Sequence, residues 1–217
     1  MAQSARERAY QYLKGEIAGG GLPLGQFVTE TEIANKIGLS RTPVREALHL
    51  LEQAGFVQIV AKKGIYIPHM SPQEIEDLWD ARRLVETYAI ERIIGKVDRP
   101  FFEGVANCLV EQEDAAKSND ANAFIEHDRS FHQRFVEAVG NTVVVDFYES
   151  LRDRQLRMGV QAVLVTPGRY ESVVVEHRAI MAAVESGDRS AAIQAVVDHL
   201  DATRRATLPW RERGDGG

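Results

Sequence analysis

The sequence predicts a mainly α-helical chain: an N-terminal winged helix-turn-helix, then an all-α bundle of about six roughly antiparallel helices. Three observations predict it. Apolar residues recur at helical spacing through most of the 217 residues. The β-prone runs are FVQIV and IYIP, set around a Lys-Lys-Gly tip near the front. Beyond Met70, helix starts and breakers alternate with no strand pattern between them.

The elements follow in order. Residues 4–18 read as a helix, ended by the breaker-rich GGGLPLG. Thr29 with Glu32 three residues on is a capping box that opens a second, short helix, stopped at Gly38. Ser40 is placed to cap a third helix, and Pro43 sits in its first turn, where a missing N–H does little harm. Val44, Ala47, Leu48 and Leu51 form its apolar stripe, and Gly55 ends it. The hairpin comes next. Ser71-Pro72-Gln73-Glu74 is a second strong helix start. Helices are expected at about 72–95, 99–117, 120–139, 142–158, 169–186 and 189–206, separated by Asp98-Arg99-Pro100, Ser118-Asn119, Gly140-Asn141, Pro167-Gly168 and Gly187-Asp188. The expected domains are residues 1–70 and 71–210. Residues 211–217 read as a frayed tail.

With 44% hydrophobic and 27% charged residues, the composition is that of an ordinary globular protein. No apolar run reaches the roughly 20 residues of a membrane span, and MAQSARERAYQYL lacks the apolar core of a signal peptide. Cys108 is the single cysteine, which excludes an intrachain disulfide and favours a reducing cytoplasm. The charge is uneven. Residues 1–70 hold 8 basic and 6 acidic residues, net +2, and residues 71–217 hold 18 and 26, net -8. An anionic partner is therefore expected at the front.

The expected partner is double-stranded DNA, on the following grounds. A helix, a short turn and a second helix place a recognition helix in the major groove. On the third helix Thr42, Arg45 and His49 share a face separate from the apolar stripe. Arginine forks suit guanine edges or phosphates, and the helix start around Ser40 suits phosphate. Lys62 and Lys63 at the hairpin tip are placed for the DNA backbone or minor groove, with Gly64 permitting close approach.

The bundle carries a second anomaly. Asp128 and His132 lie on the stripe of Phe124, Phe131, Phe135 and Val139. His177 lies among Val173, Ile180, Met181 and Val184, and His199 among Ala192, Val196, Leu200 and Thr203. Buried ionisable groups need partners. One divalent transition metal per chain satisfies all four together, zinc first, with nickel, manganese or iron as alternatives. Arg82, with Glu86, interrupts the stripe of Ile75, Trp79, Ala89 and Ile93. It is either half of an internal ion pair or a clamp for a small carboxylic acid beside the metal. Arg154 is a second candidate for that clamp.

The stretch from EIAGGGLPLG through SRTPVREAL to the hairpin resembles the winged helix of the GntR family of bacterial transcription regulators. The resemblance implies DNA contacts by Arg41, Thr42 and Arg45, with the wing near Gly64 in the minor groove. It departs at TETEIANK, where some members carry a further arginine. The runs DLWDARRLVE, HDRSFHQRFVEAVGN and EHRAIMAAVESGDRSAAIQAVVDHL resemble the FCD ligand-binding domain of the FadR branch. That resemblance implies a metal on Asp128, His132, His177 and His199, an effector carboxylate met by the metal and Arg82, and a homodimer. A two-fold protein reads a palindromic operator. The expected function is a ligand-responsive repressor with no catalytic residues. The alternatives are a metal-dependent enzyme and an architectural DNA-binding protein with a structural metal.

Overall fold

The computed structural model describes residues 3–18, 20–22 and 24–207. The expected frayed tail, 211–217, lies outside the described residues. The chain divides into two compact units, Met1–Met70 and Ser71–Gly217.

The first unit contains α1 (Ala5–Ala18), β1 (Phe27–Val28), α2 (Glu30–Ile37), α3 (Arg41–Gln53), β2 (Gln58–Val60) and β3 (Gly64–Tyr66). Helix α2 starts on the capping box: Glu32 N–H donates to Thr29 Oγ1 at 3.2 Å, and Thr29 N–H donates to Glu32 Oε2 at 2.7 Å. Gly38 ends it in the left-handed region, at φ 66°. Ser40 holds the N-cap position of α3, but its side chain makes no capping hydrogen bond. The stripe residues Val44, Ala47, Leu48 and Leu51 are buried with Leu13 and Ile17 of α1 and Ile65 of β3.

The hairpin is one part of a three-stranded antiparallel sheet of order β1-β3-β2. Strand β1 escaped the sequence reading because two residues carry no periodicity; pairing Phe27 with Tyr66 and Val28 with Ile65 makes it a strand. This pairing also explains Gly64. Its φ is +109°, and a Cβ there would lie 2.7 Å from the Val28 carbonyl oxygen. A backbone oxygen held in a ladder cannot step aside as a side-chain tip can.

The second unit has seven helices among the described residues: α4 (Pro72–Ile93), α5 (Arg99–Lys117), α6 (Ala121–Glu137), α7 (Thr142–Ser150), α8 (Arg152–Val165), α9 (Arg169–Glu185) and α10 (Arg189–Thr207). The expected helix at 142–158 is thus two helices, and the second runs on to Val165. No glycine or proline marks the break. Tyr148 of α7 is anchored by its hydroxyl on Glu86 of α4, 2.8 Å away. Helix α8 instead follows α6, with Gly159 in its interior. A Cβ on Gly159 would come within 2.9 Å of Ile125, so this glycine serves close helix packing. The apolar stripes of α4, α5, α6, α9 and α10 meet in one core around Ile90, Val105, Phe131, Ile180 and Val196. No helix among the described residues is long and apolar enough to cross a membrane.

Gly64→Ala should therefore destabilise the first unit by about 1–3 kcal/mol, through left-handed strain and the clash with Val28. Urea unfolding measures it, and wild-type stability would show that β1 can yield.

Candidate metal centre and nucleic-acid interface

Three helices build a polar cluster inside the second unit. Helix α6 supplies Asp128 and His132 one turn apart, α9 supplies His177, and α10 supplies His199. One ligand atom from each lies within 4.8 Å of all the others. His132 Nε2 is 3.1 Å from both His177 Nε2 and His199 Nε2, and His177 Nε2 is 3.3 Å from Asp128 Oδ1. Bonds of about 2.1 Å to a common ion separate neighbouring ligands by roughly 3.0–3.4 Å. The three histidines are buried, and Asp128 keeps 14% of its side chain exposed.

The outer nitrogens decide which lone pairs face inward. His177 Nδ1 is 2.9 Å from Gln112 Oε1 of α5, and His199 Nδ1 is 2.7 Å from Glu176 Oε2. His132 Nδ1 is 2.9 Å from Glu86 Oε2, an ion-pair contact that does not meet hydrogen-bond geometry. Gln112 also donates from Nε2 to Asp128 Oδ1, at 3.4 Å, which sets its amide with the oxygen toward His177. Acceptors on all three Nδ1 atoms assign the protons there. Three bare Nε2 lone pairs then converge on one point beside a carboxylate, an arrangement that repels itself unless a cation sits within it.

The electrostatics agree. Burial, reinforced by His199 and His132, holds His177 well below the usual histidine range. Burial does the same to His199, with His132 and Arg82 adding to it. Both rings are neutral at pH 7, the form that binds metal. Burial raises Asp128 above the usual carboxylate range, against the opposing pull of His132 and Arg82. Phe131 closes one side, its ring stacked on His177 with centroids 4.1 Å apart.

A second layer ties the cluster to the bundle. Arg82 Nε donates to Glu86 Oε1 at 2.8 Å, both side chains being buried. Burial alone would raise Glu86; Arg82 and His132 together outweigh it and hold the carboxylate ionised. Arg169 grips Glu176 with two bonds of 2.6 and 3.0 Å and reaches Thr203 at 2.8 Å. Gln112 was missed in the sequence although its signal is the one that exposes Asp128: a polar residue on the stripe of Val105, Cys108, Leu109 and Ala115. Glu176 lies beside a stripe and carries no such signal.

The matches to known proteins follow this architecture. Residues 77–202 match the FCD domain, and residues 5–67 match the bacterial regulatory proteins of the gntR family. The chain is a GntR-family transcriptional regulator. It is 31% identical over 200 residues to an HTH-type transcriptional regulator in an unstable DNA locus of Streptomyces ambofaciens, covering 91% of this chain and 82% of that one. The gluconate operon transcriptional repressor of Bacillus subtilis is 25% identical over 198 residues, covering 89% and 80%. Among solved structures, the Zn2+-bound FCD domain of TM0439 superposes with TM-score 0.51 at 24% identity, covering 66% of this chain and 98% of that one.

In this GntR-family winged helix, Arg41, Thr42 and Arg45 are exposed along the front of α3. Arg45 is held by Glu30, from the first turn of α2, with Nε to Oε1 at 2.9 Å and Nη2 to Oε2 at 2.7 Å. Arg41 reaches the same carboxylate at 3.4 Å. The Arg45 hydrogen bonds, with its charge and that of Arg41, hold Glu30 below the usual carboxylate range. Helix α2 therefore acts on the arginines with an acid. Lys62 and Lys63 are exposed at the wing tip, Lys62 in the left-handed region at φ 66°.

The clamp candidates separate. Arg82 lies beside the cluster, close enough for its charge to act on Asp128, His177 and His199. Arg154 does not join it. It is exposed in a surface groove with Glu74, Asp77, Leu78, Ala81 and Leu151. Arg154 lies at the edge of its helix stripe, and the break at Leu151 turns that edge outward.

Gln112→Leu should weaken zinc binding about 10–100-fold, because the His177 proton loses its acceptor, while the helical circular dichroism stays unchanged. Competition against a chromophoric chelator reads the affinity; a wild-type value would remove Gln112 from the site.

Proposed function

We propose that this chain is a homodimeric, cytoplasmic repressor whose operator affinity responds to a small organic acid bound at a divalent metal. The carrying observation is the convergence of three Nε2 lone pairs and one carboxylate, with every outer imidazole nitrogen facing an acceptor. The donor set of three imidazoles and one carboxylate suits zinc first, then nickel, manganese or iron. Asp128, His132, His177 and His199 would hold the ion, and when bound it supplies a Lewis-acidic attachment point for a carboxylate. Arg82 stands beside it as the second anchor for that carboxylate. Glu86 keeps the guanidinium in place, so the ion pair and the clamp are compatible roles. The zinc named for the FCD domain of TM0439 supports the metal, and the gluconate operon named for the Bacillus subtilis relative supports an acid effector.

On the DNA side, Arg41, Thr42 and Arg45 read or grip the major groove, the helix start at Ser40 meets a phosphate, and Lys62, Lys63 and Gly64 follow the backbone or minor groove. Two copies would read a palindrome. The dimer surface is the apolar strip of α4 and α7, where Leu84, Val143 and Phe147 are 72%, 75% and 47% exposed beside Val85, Tyr88 and Val144. Scattered apolar residues need no partner, but a contiguous strip does. The acid changes operator affinity only in so far as it binds two arrangements of the dimer unequally.

One paired experiment tests the two halves. Arg45→Ala should lose roughly 1–3 kcal/mol of discrimination for an operator selected from random duplexes by the wild-type chain. His177→Ala should lose metal, read by atomic emission, and lose the acid response while retaining operator binding. Undiminished discrimination in the first, or full metal occupancy in the second, would overturn the corresponding half. Leu84→Glu with Val143→Glu should sediment as a monomer; a persistent dimer would place the interface elsewhere.

A further inference from the structure

Helix α8 carries a group that the proposed function leaves unused. Gln155 is 5% exposed, and neither its amide nitrogen nor its amide oxygen has a hydrogen-bond partner. Native interiors hold few such groups, because an unpaired buried amide has given up water for nothing.

Its position follows from the packing of α8 on α6, which is antiparallel. Glu149, just before α8, accepts from Gln133 late in α6 at 3.0 Å. Tyr170, just after α8, sets its ring edge-on to Phe124 early in α6, with centroids 4.8 Å apart. Between them, Gly159 lies directly against Ile125. Gln155 is one turn before Gly159 on the same face of α8, and Asp128 is one turn after Ile125 on the same face of α6. In antiparallel helices these two turns lie opposite one another. That register turns Gln155 toward the Asp128 side of α6; Asp128 is the corner of the cluster that keeps some solvent access and that the Arg82 charge also reaches.

We propose that Gln155 is an effector-recognition residue, and that the acid it selects bears a hydroxyl or carbonyl oxygen besides its carboxylate. This rests on the metal-and-acid reading above. An amide offers one donor group and one acceptor. A hydroxyl satisfies either, a carbonyl satisfies the donor, and a bare alkyl chain satisfies neither. A site built to pair with a substrate hydroxyl rejects the analogue lacking it, because the buried polar group is left unpaired.

The test uses the full chain loaded with Zn2+ and matched acids: propanoate and 2-hydroxypropanoate, butanoate and 3-hydroxybutanoate, hexanoate and gluconate. Calorimetry gives the Kd of each for wild type, Gln155→Met and Gln155→Leu, with zinc content and thermal midpoint recorded alongside. In at least one pair the wild type should prefer the oxygenated acid about tenfold or more. Both variants should lose that preference while keeping zinc and their affinity for the plain acid. Both should also melt no lower than wild type without acid, since no native hydrogen bond is lost. A preference unchanged in both variants, or no preference in the wild type although acids bind, overturns the role of Gln155 and leaves the metal-and-acid reading standing. If no acid binds the zinc-loaded wild type, both fall together.

Discussion

The second unit is organised by where three imidazole protons go. Each Nδ1 faces an acceptor from a different place: Glu86 on α4, Gln112 on α5 and Glu176 on α9. Those acceptors turn three Nε2 lone pairs toward one another at about 3 Å, where only a shared cation or a shared proton makes the contact favourable. The acceptors are themselves held. Glu86 is fixed by Arg82 and Tyr148, Glu176 by Arg169, and Gln112 by Asp128. Helices α4, α5, α6, α7, α9 and α10 are thus linked through one polar network in an otherwise apolar core. Removing one member exposes its neighbour as an unpaired buried group, so the network fails as a unit.

This arrangement gives a physical form to the proposed coupling. A carboxylate arriving at the Asp128 corner meets the proposed ion and Arg82, and Arg82 leads through Glu86 to Tyr148 on α7. Helix α7 contributes half of the apolar strip assigned to the dimer surface. The proposed effector site and the proposed subunit contact therefore share α4 and α7. The winged helix shows the same economy on a smaller scale. One carboxylate, Glu30, holds two arginines that would otherwise sample many rotamers, at the cost of a negative charge close to where a phosphate is proposed to sit. In the proposed DNA complex those arginines would exchange one anion for another, which favours discrimination over raw affinity.

Much of this was legible in the chain. Asp128, His132, His177 and His199 announce themselves because each breaks an apolar stripe, and burial of a polar group demands a partner. Thr29-Glu32 and Ser71-Glu74 announce helix starts because capping is a local interaction. Gln112 was equally visible by the stripe criterion and was passed over because glutamine carries no charge. Strand β1, the break at Leu151 and the role of Gly159 left no local mark. Each arises from a distant neighbour: β3, Glu86 and Ile125.

The sequence by itself determined the helix boundaries set by caps and breakers, the two-module order and the four residues of the polar cluster, because periodicity and capping act within one or two turns. Only the tertiary structure decided which imidazole nitrogen faces inward, that Arg82 is both paired and beside the cluster while Arg154 is not, and that Glu30 holds Arg45. These depend on side chains from different helices meeting at hydrogen-bond distance, and sequence separation carries no information about that distance until the core has packed.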